Sequence, residues 1–181
     1  MEIISRTTAI TLLIILSPFL LIIGLGNLIL QGRPIIYRQQ RVGKDFQEFM
    51  IYKFRTMKNE DAGINNFSSR QTTTLTRWGR FLRKTKLDEL PQLANIIKGD
   101  MRFIGPRPEV PEYVSKDSFS FLSIIKPGLS GFSSILFRNE SEIWSMIDSK
   151  NPYRDILKIK VGLANYYVNK KSFLQDLKLV F

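Results

Sequence analysis

The sequence predicts an α+β fold, mostly helical with one small β-hairpin, held on a membrane as a monotopic protein. Three observations predict it. Residues 9–30 are apolar and carry no charge. Residues 35–57 are rich in β-branched and aromatic side chains and are divided by a glycine turn. Further on, helical periodicity returns in a basic segment at 76–86, again at 90–97, and after an Asn-Pro start at 151–152. With 44% apolar residues and 12% aromatic, the chain can pack a core.

The elements follow in order. "AITLLIILSPFLLIIGLGNLIL" (9–30) would span about 33 Å as a straight helix, close to the hydrocarbon thickness of a bilayer. A cleaved signal peptide is disfavoured, because no A-x-A-like site follows. Pro18 sits near the middle and removes the bond to the carbonyl of residue 14, so a kink at Ser17-Pro18 is expected. Bases flank both ends: Arg6 before, then Arg33, Arg38, Arg41 and Lys44 after. The positive-inside rule puts both flanks on the cytoplasmic side, which favours a re-entrant helix over a spanning one. Residues 1–32 are read as this membrane segment and 33–181 as the domain it carries.

The hairpin is expected within 35–57, turning at Gly43-Lys44-Asp45. Lys53 and Arg55 then share one face of the second strand, either as functional cations or as solvated edge cations. Residues 59–75 read as a polar loop. In "TRWGRFLRKTK", Arg77, Arg80 and Lys84 form one helical stripe and Trp78, Phe81 and Leu82 another. Such a helix fits a membrane interface or a surface packed on the domain.

Asp88 and Glu89 follow this basic run directly. Pro91 predicts a helix starting close by, with Leu90, Leu93, Ala94 and Ile97 as its buried stripe and Lys98-Gly99 as its close. Two readings of the acids stand together: N-terminal capping, with Thr85-x-x-Asp88 as a capping box, or a chemical pair. In the second, one carboxylate binds a divalent cation and the other attacks an electrophile. An Asp near its ordinary value, about 3.9, is ionised at neutral pH and needs no general base. Such a base has few candidates, since the chain has no His and no Cys. The same composition excludes disulfides, thiol catalysis and zinc–thiolate sites. In "FIGPRPEVPEY" (103–113), Pro106 and Pro108 fix the backbone around Arg107, a presentation suited to bidentate phosphate contact. The net charge, 27 − 16 = +11, points to an anionic partner.

"YRQQRVGKDFQEFMIYKFRTM" (37–57), "TRWGRFLRKTKLDELPQLANIIKGDM" (76–101), "GPRPEVPEY" (105–113) and "KPGLSGF" (126–132) occur in this order. Together they resemble the bacterial sugar transferase family, the small monotopic polyprenyl-phosphate phosphoglycosyl transferases. The resemblance implies transfer of a phosphosugar from a UDP-sugar to a polyprenyl (undecaprenyl) phosphate, with release of UMP. It implies a catalytic domain on the cytoplasmic face of the bacterial inner membrane, at the first membrane step of exopolysaccharide, capsule or glycoprotein glycan synthesis. By likeness of motif, Asp88 is the nucleophile of a covalent phosphosugar intermediate. Glu89, with Asp88, holds Mg²⁺, and Lys53, Arg55 and Arg107 meet phosphate oxygens. The family's re-entrant helix is broken at Ser-Pro, matching Ser17-Pro18. Membrane lipid and downstream membrane glycosyltransferases are the implied partners, and nucleic acid is not expected. The chain departs from the common pattern at "SSILFRNESE" after "KPGLSGF" and at Lys86 before "LDELPQ". Its length predicts no additional multi-span N-terminal part. A second class of reading is a non-catalytic, membrane-tethered basic protein binding anionic lipid or nucleic acid. It leaves the acidic pair inside the basic run unexplained.

Overall fold

A computed structural model describes residues 2–57, 75–138, 143, 151–172, 175–176 and 179. The loop expected at 59–75 lies outside the described residues except for Leu75, which bridges antiparallel to Met57. The elements are mostly helical, with two small two-stranded sheets. They form two compact units, one gathering Ile3–Gln39 and Met50–Ile97, the other Gln40–Phe49 and Lys98–Phe181.

In the first unit, helix α1 (Glu2–Gln31) is continuous through Pro18. The expected break into two arms does not interrupt the helix. Pro18 leaves the Ile14 carbonyl without its amide donor, and Ser17 Oγ donates to that carbonyl at 2.8 Å. Ile23, Asn27 and Gln31, four residues apart, are its buried stripe near the C-terminal end. Ile3, Ile14, Ile15, Leu21, Ile22, Leu25 and Ile29 remain exposed. Among the described residues α1 is the one helix long and apolar enough to cross a membrane. Gly32, in the left-handed region at φ 75°, ends it.

Strands β1 (Ile36–Val42) and β2 (Glu48–Phe54) form the expected hairpin around Gly43–Gln47. Helix α2 (Arg77–Thr85) is capped by Thr76, whose hydroxyl accepts from the Gly79 amide at 2.8 Å. Gly79 lies so close to the segment after β2 that a Cβ there would meet the Thr56 carbonyl oxygen at 2.0 Å. Leu82 packs with Ile23 and Phe54 in the core of this unit, and Trp78 lies against them. Phe81 does not share that inward stripe, being 48% exposed. A 3-10 segment (Leu87–Gln92) leads into helix α3 (Leu93–Lys98).

The second unit holds a feature absent from the sequence expectation. Strands β3 (Arg102–Ile104) and β4 (Gly128–Ser130) pair in parallel, with Arg102 opposite Gly128 and Ile104 opposite Ser130. The pairing carries the GPRP and KPGLSG motifs side by side. Gly128 permits it, since a Cβ there would lie 2.1 Å from the Gly105 amide nitrogen. Helix α4 (Phe132–Leu136) and helix α5 (Pro152–Lys170) complete the unit. The expected start of α5 is observed, with Pro152 in its first turn and Asn151 Oδ1 accepting from the Arg154 amide. Its core joins Ile104, Phe119, Phe121, Leu122, Ile125, Ala164 and Tyr167.

Candidate active site

The site is built on the turn between α2 and α3. Lys86 adopts the left-handed conformation (φ 60°, ψ 15°), closes α2 through its amide to the Arg83 carbonyl, and starts the 3-10 segment at once. The helical path therefore begins at Leu87, earlier than the start expected near Pro91, and Pro91 lies inside it. Its buried side chains also differ from expectation. Leu93, Asn95 and Ile96 are buried, while Leu90, Ala94 and Ile97 are half-buried. Asn95 is fixed by donating to the Met50 carbonyl (2.7 Å) and accepting from the Tyr52 amide (3.3 Å). This ties α3 to β2.

Asp88 and Glu89 are both buried, at 7% and 9% exposure. The capping reading finds no support in the geometry. Thr85 Oγ1 donates back into α2, to the Phe81 and Leu82 carbonyls, and the 3-10 segment has no side-chain cap. Glu89 instead pairs with Lys53, Nζ to Oε1 at 2.9 Å. Lys53 is half-buried, so it is not a solvated edge cation. Asp88 Oδ1 is enclosed and has no hydrogen-bond partner among the described residues. Burial raises the Asp88 carboxyl above its ordinary value. Lys53 opposes this, Glu89 reinforces it, and Arg83 and Lys86 oppose it. The expectation of an Asp near its ordinary value is thereby corrected: desolvation of the turn was not visible in the motif.

Arg55 parts from Lys53. Its guanidinium donates to the carbonyls of Gln31, Gly32 (2.8 Å) and Arg33 (2.9 Å) at the end of α1. The Gln31 carbonyl is an orphan acceptor of the helix C-terminus, the other two follow it directly, and a cation suits that end. The Arg55 carbonyl in turn accepts from Asn27 Nδ2 (3.0 Å) and Gln31 Nε2 (2.8 Å). Trp78 Nε1 donates to Asn27 Oδ1 at 2.7 Å. Arg55 is placed as a structural clasp rather than at the acidic pair, because β2 ends at Phe54 and the alternation of faces stops there.

In the second unit, Arg107 is the half-buried residue of an otherwise buried stretch, Ile104 to Val110. Nothing local to these residues announces what anchors this stretch. Glu109 is buried, pairs with Lys160 at 3.1 Å and Arg41 at 3.5 Å, and accepts from the Tyr153 hydroxyl at 2.5 Å. Arg41 also donates to the Pro108 carbonyl at 3.4 Å. The signal available was a charged residue, Lys160, in the middle of the apolar periodicity of α5.

A carboxylate pair is a small donor set for a metal, and no group of three or more acidic or His side chains that could hold one occurs among the described residues. Mg²⁺ is commonly held by one or two carboxylates plus substrate phosphates, so Asp88 and Glu89 fit a cation that arrives with a diphosphate.

The sequence model of the bacterial sugar transferase family matches residues 1–181. The chain belongs to this family. Among relatives, it is 32% identical over its whole length to the UDP-N-acetylgalactosamine-undecaprenyl-phosphate N-acetylgalactosaminephosphotransferase of Aeromonas hydrophila, covering 41% of that protein. It is 35% identical over 96% of the chain to the undecaprenyl-phosphate galactose phosphotransferase of Salmonella typhimurium, covering 37% of it. It is 34% identical over 82% of the chain to the uncharacterized sugar transferase EpsL of Bacillus subtilis, covering 67% of it. The chain thus spans about two fifths of the first two relatives. Within the bacterial sugar transferase family, the match takes in both the Asp88-Glu89 turn and the apolar N-terminal helix.

Proposed function

We propose that this protein transfers a phosphosugar from a UDP-sugar to a polyprenyl phosphate, releasing UMP. One observation carries the reading: the buried carboxylate of Asp88 has an enclosed oxygen without a hydrogen-bond partner among the described residues, beside a second acid held by a lysine. An enclosed carboxylate oxygen without a donor is costly, about 1–3 kcal/mol, and such costs are retained where a ligand is to be met. Asp88 is proposed to attack the sugar-linked phosphorus, forming an acyl-phosphate and expelling UMP. An oxygen of the polyprenyl phosphate then displaces Asp88. Glu89 and Asp88 would hold Mg²⁺ with the diphosphate, and the cation would neutralise charge developing on the phosphoryl oxygens. Lys53, paired with Glu89, is proposed to meet phosphate oxygens, and Arg107 is proposed for the same role. Arg55 is left to the helix end.

The relatives' names support undecaprenyl phosphate as acceptor and sugars such as N-acetylgalactosamine and galactose in the donor. The exposed apolar length of α1 supports membrane seating. We read it as re-entrant, with both flanks in the cytoplasm, and place the reaction at the cytoplasmic face of the inner membrane, ahead of further glycosyltransferases. A non-catalytic basic protein leaves the unpartnered oxygen of Asp88 without a purpose.

Incubation with UDP-N-acetylgalactosamine, UDP-glucose or UDP-galactose, without acceptor, should release UMP and add one phosphosugar to the protein, measured by mass spectrometry. Asp88→Asn should give no adduct, and EDTA should abolish turnover until Mg²⁺ is restored. Full turnover by Asp88→Asn, free of deamidation, would overturn the assignment.

A further inference from the structure

Arg107 stands on a stretch whose main chain is tied on both sides. Upstream, the Gly105 amide donates to the Ser130 carbonyl at 2.9 Å, and the Gly128 amide donates to the Pro106 carbonyl at 2.8 Å. Those bonds continue the pairing of β3 with β4. Downstream, the Val42 amide donates to the Glu109 carbonyl at 3.0 Å, and Arg41 donates to the Pro108 carbonyl at 3.4 Å. The Glu109 side chain completes this second tie. It is 5% exposed, and groups from two distant elements converge on its carboxylate. Lys160 Nζ (3.1 Å) and the Tyr153 hydroxyl (2.5 Å) come from α5, and Arg41 (3.5 Å) comes from β1. Between the ties, Pro106 and Pro108 have fixed φ angles, and Pro108 also restricts Arg107.

Three buried charges are a costly way to fill a core. Apolar side chains of similar volume often stabilise as well or better, and Phe119, Phe121 and Val161 beside the cluster are already apolar. What the ionic cluster adds is placement, because a carboxylate met by three donors from two elements holds residue 109 in one position. Arg107, Glu109 and Lys160 also line one small cavity, so the anchored acid and Arg107 are neighbours in space as well as in sequence.

We propose that Glu109 is a positioning residue for the transfer: held by Lys160, Tyr153 and Arg41, it fixes the main chain that carries Arg107, so that Arg107 meets the diphosphate from an ordered backbone. The inference rests on the reading of Arg107 as a phosphate-binding residue. Glu109 itself touches neither substrate nor phosphorus. Without its side-chain contacts the stretch is secured mainly at the β3–β4 end, and residues 107–109 must be reordered each time substrate binds.

A double-mutant cycle tests this. Full-length wild type, Glu109→Gln, Arg107→Ala and the double variant are compared in detergent, each well below its melting temperature. The readout is kcat/KM for UMP release from the UDP-sugar turned over among the three above, with undecaprenyl phosphate in excess. Glu109→Gln keeps the size and an acceptor for Tyr153, and loses the charge that holds the two cations. With Arg107 present it should lower kcat/KM about tenfold, the size expected when about one residue's main chain must be ordered on binding. In the Arg107→Ala background the same change should cost less than about twofold, since the residue it serves is gone. A merely structural role would cost the same factor in both backgrounds. If Glu109→Gln does not accumulate as folded protein, Tyr153→Phe removes one bond to Glu109 and no charge. It should lower kcat/KM about threefold with Arg107 present and leave it unchanged without. Equal losses in the two backgrounds, or no loss with Arg107 present, overturn the proposal. Wild-type efficiency in Arg107→Ala alone overturns the phosphate-binding reading of Arg107 and this inference with it, and that result is seen without any Glu109 variant.

Discussion

Asp88 is asked to do two opposed things: to stay buried and to carry charge. Burial raises its carboxyl above the ordinary value, so the folded state binds that proton more tightly than the unfolded chain does. Stability then declines as pH rises from the unfolded value to the folded one, and levels off above it. Asp88→Asn removes the titration. Metal-free in detergent, its melting temperature should exceed that of the wild type at neutral pH, and the gap should shrink toward acid. Activity should fall at least about 10³-fold. A wild type more stable than Asp88→Asn at pH 7 would contradict this account. Arg107 makes a different demand. Its neighbours Pro106, Pro108 and Glu109 are buried, which fixes the backbone that carries it. Arg107→Lys keeps the charge and loses the planar fork, so kcat/KM for the UDP-sugar should drop about tenfold or more. Equal efficiency would remove the bidentate role.

At the scale of elements, the clasp at the end of α1 decides how firmly β2 is held. Arg55 satisfies three carbonyls there, and its own carbonyl is satisfied by Asn27 and Gln31. Arg55→Met should destabilise the protein by about 3 kcal/mol, read as a lower melting temperature in detergent, because several buried acceptors lose a charged donor at once. An unchanged melting temperature would show that the clasp is decorative. This element also marks where reading the sequence succeeds and stops. The hairpin, α2 and the start of α5 were legible, because each has a local cause: turn residues, a periodic stripe, an Asn-Pro cap. The three-residue strands β3 and β4 were not, since they are too short for any period and are joined through glycines that permit close approach. Asp88, Glu89 and Lys53 were singled out through their motif, and the structure brings these three side chains together. Arg55 was misplaced because strand alternation was carried one residue past the strand. Asn95 and Glu109 were missed because a polar residue in a core is recognised by its partners, which lie far away in sequence.

At the scale of the molecule, the question is how α1 meets the bilayer. Single cysteines at residues 3 and 40 can be probed in intact cells with an impermeant thiol reagent, against a background without any native Cys. Both should be protected if the two flanks are cytoplasmic. Labelling at residue 3 alone would establish a spanning helix and refute the re-entrant reading. Replacing Ser17 and Pro18 by Ala and Leu returns an amide donor to the Ile14 carbonyl and should shift residue 3 toward external labelling, with loss of activity. The same helix governs how the protein can be handled. An anchor that merely tethers can be cut away. Here the last turns of the apolar helix supply the acceptors for Arg55 and for the Trp78 indole, so the cut would leave a cation and an N–H stranded in a core missing one wall. A water-soluble version is therefore to be sought by exchanging the outward side chains, Ile3, Ile14, Ile15, Leu21, Ile22, Leu25 and Ile29, for polar ones while Ile23, Asn27 and Gln31 are kept. The anchor is a wall of the house, and it can be repainted but not removed.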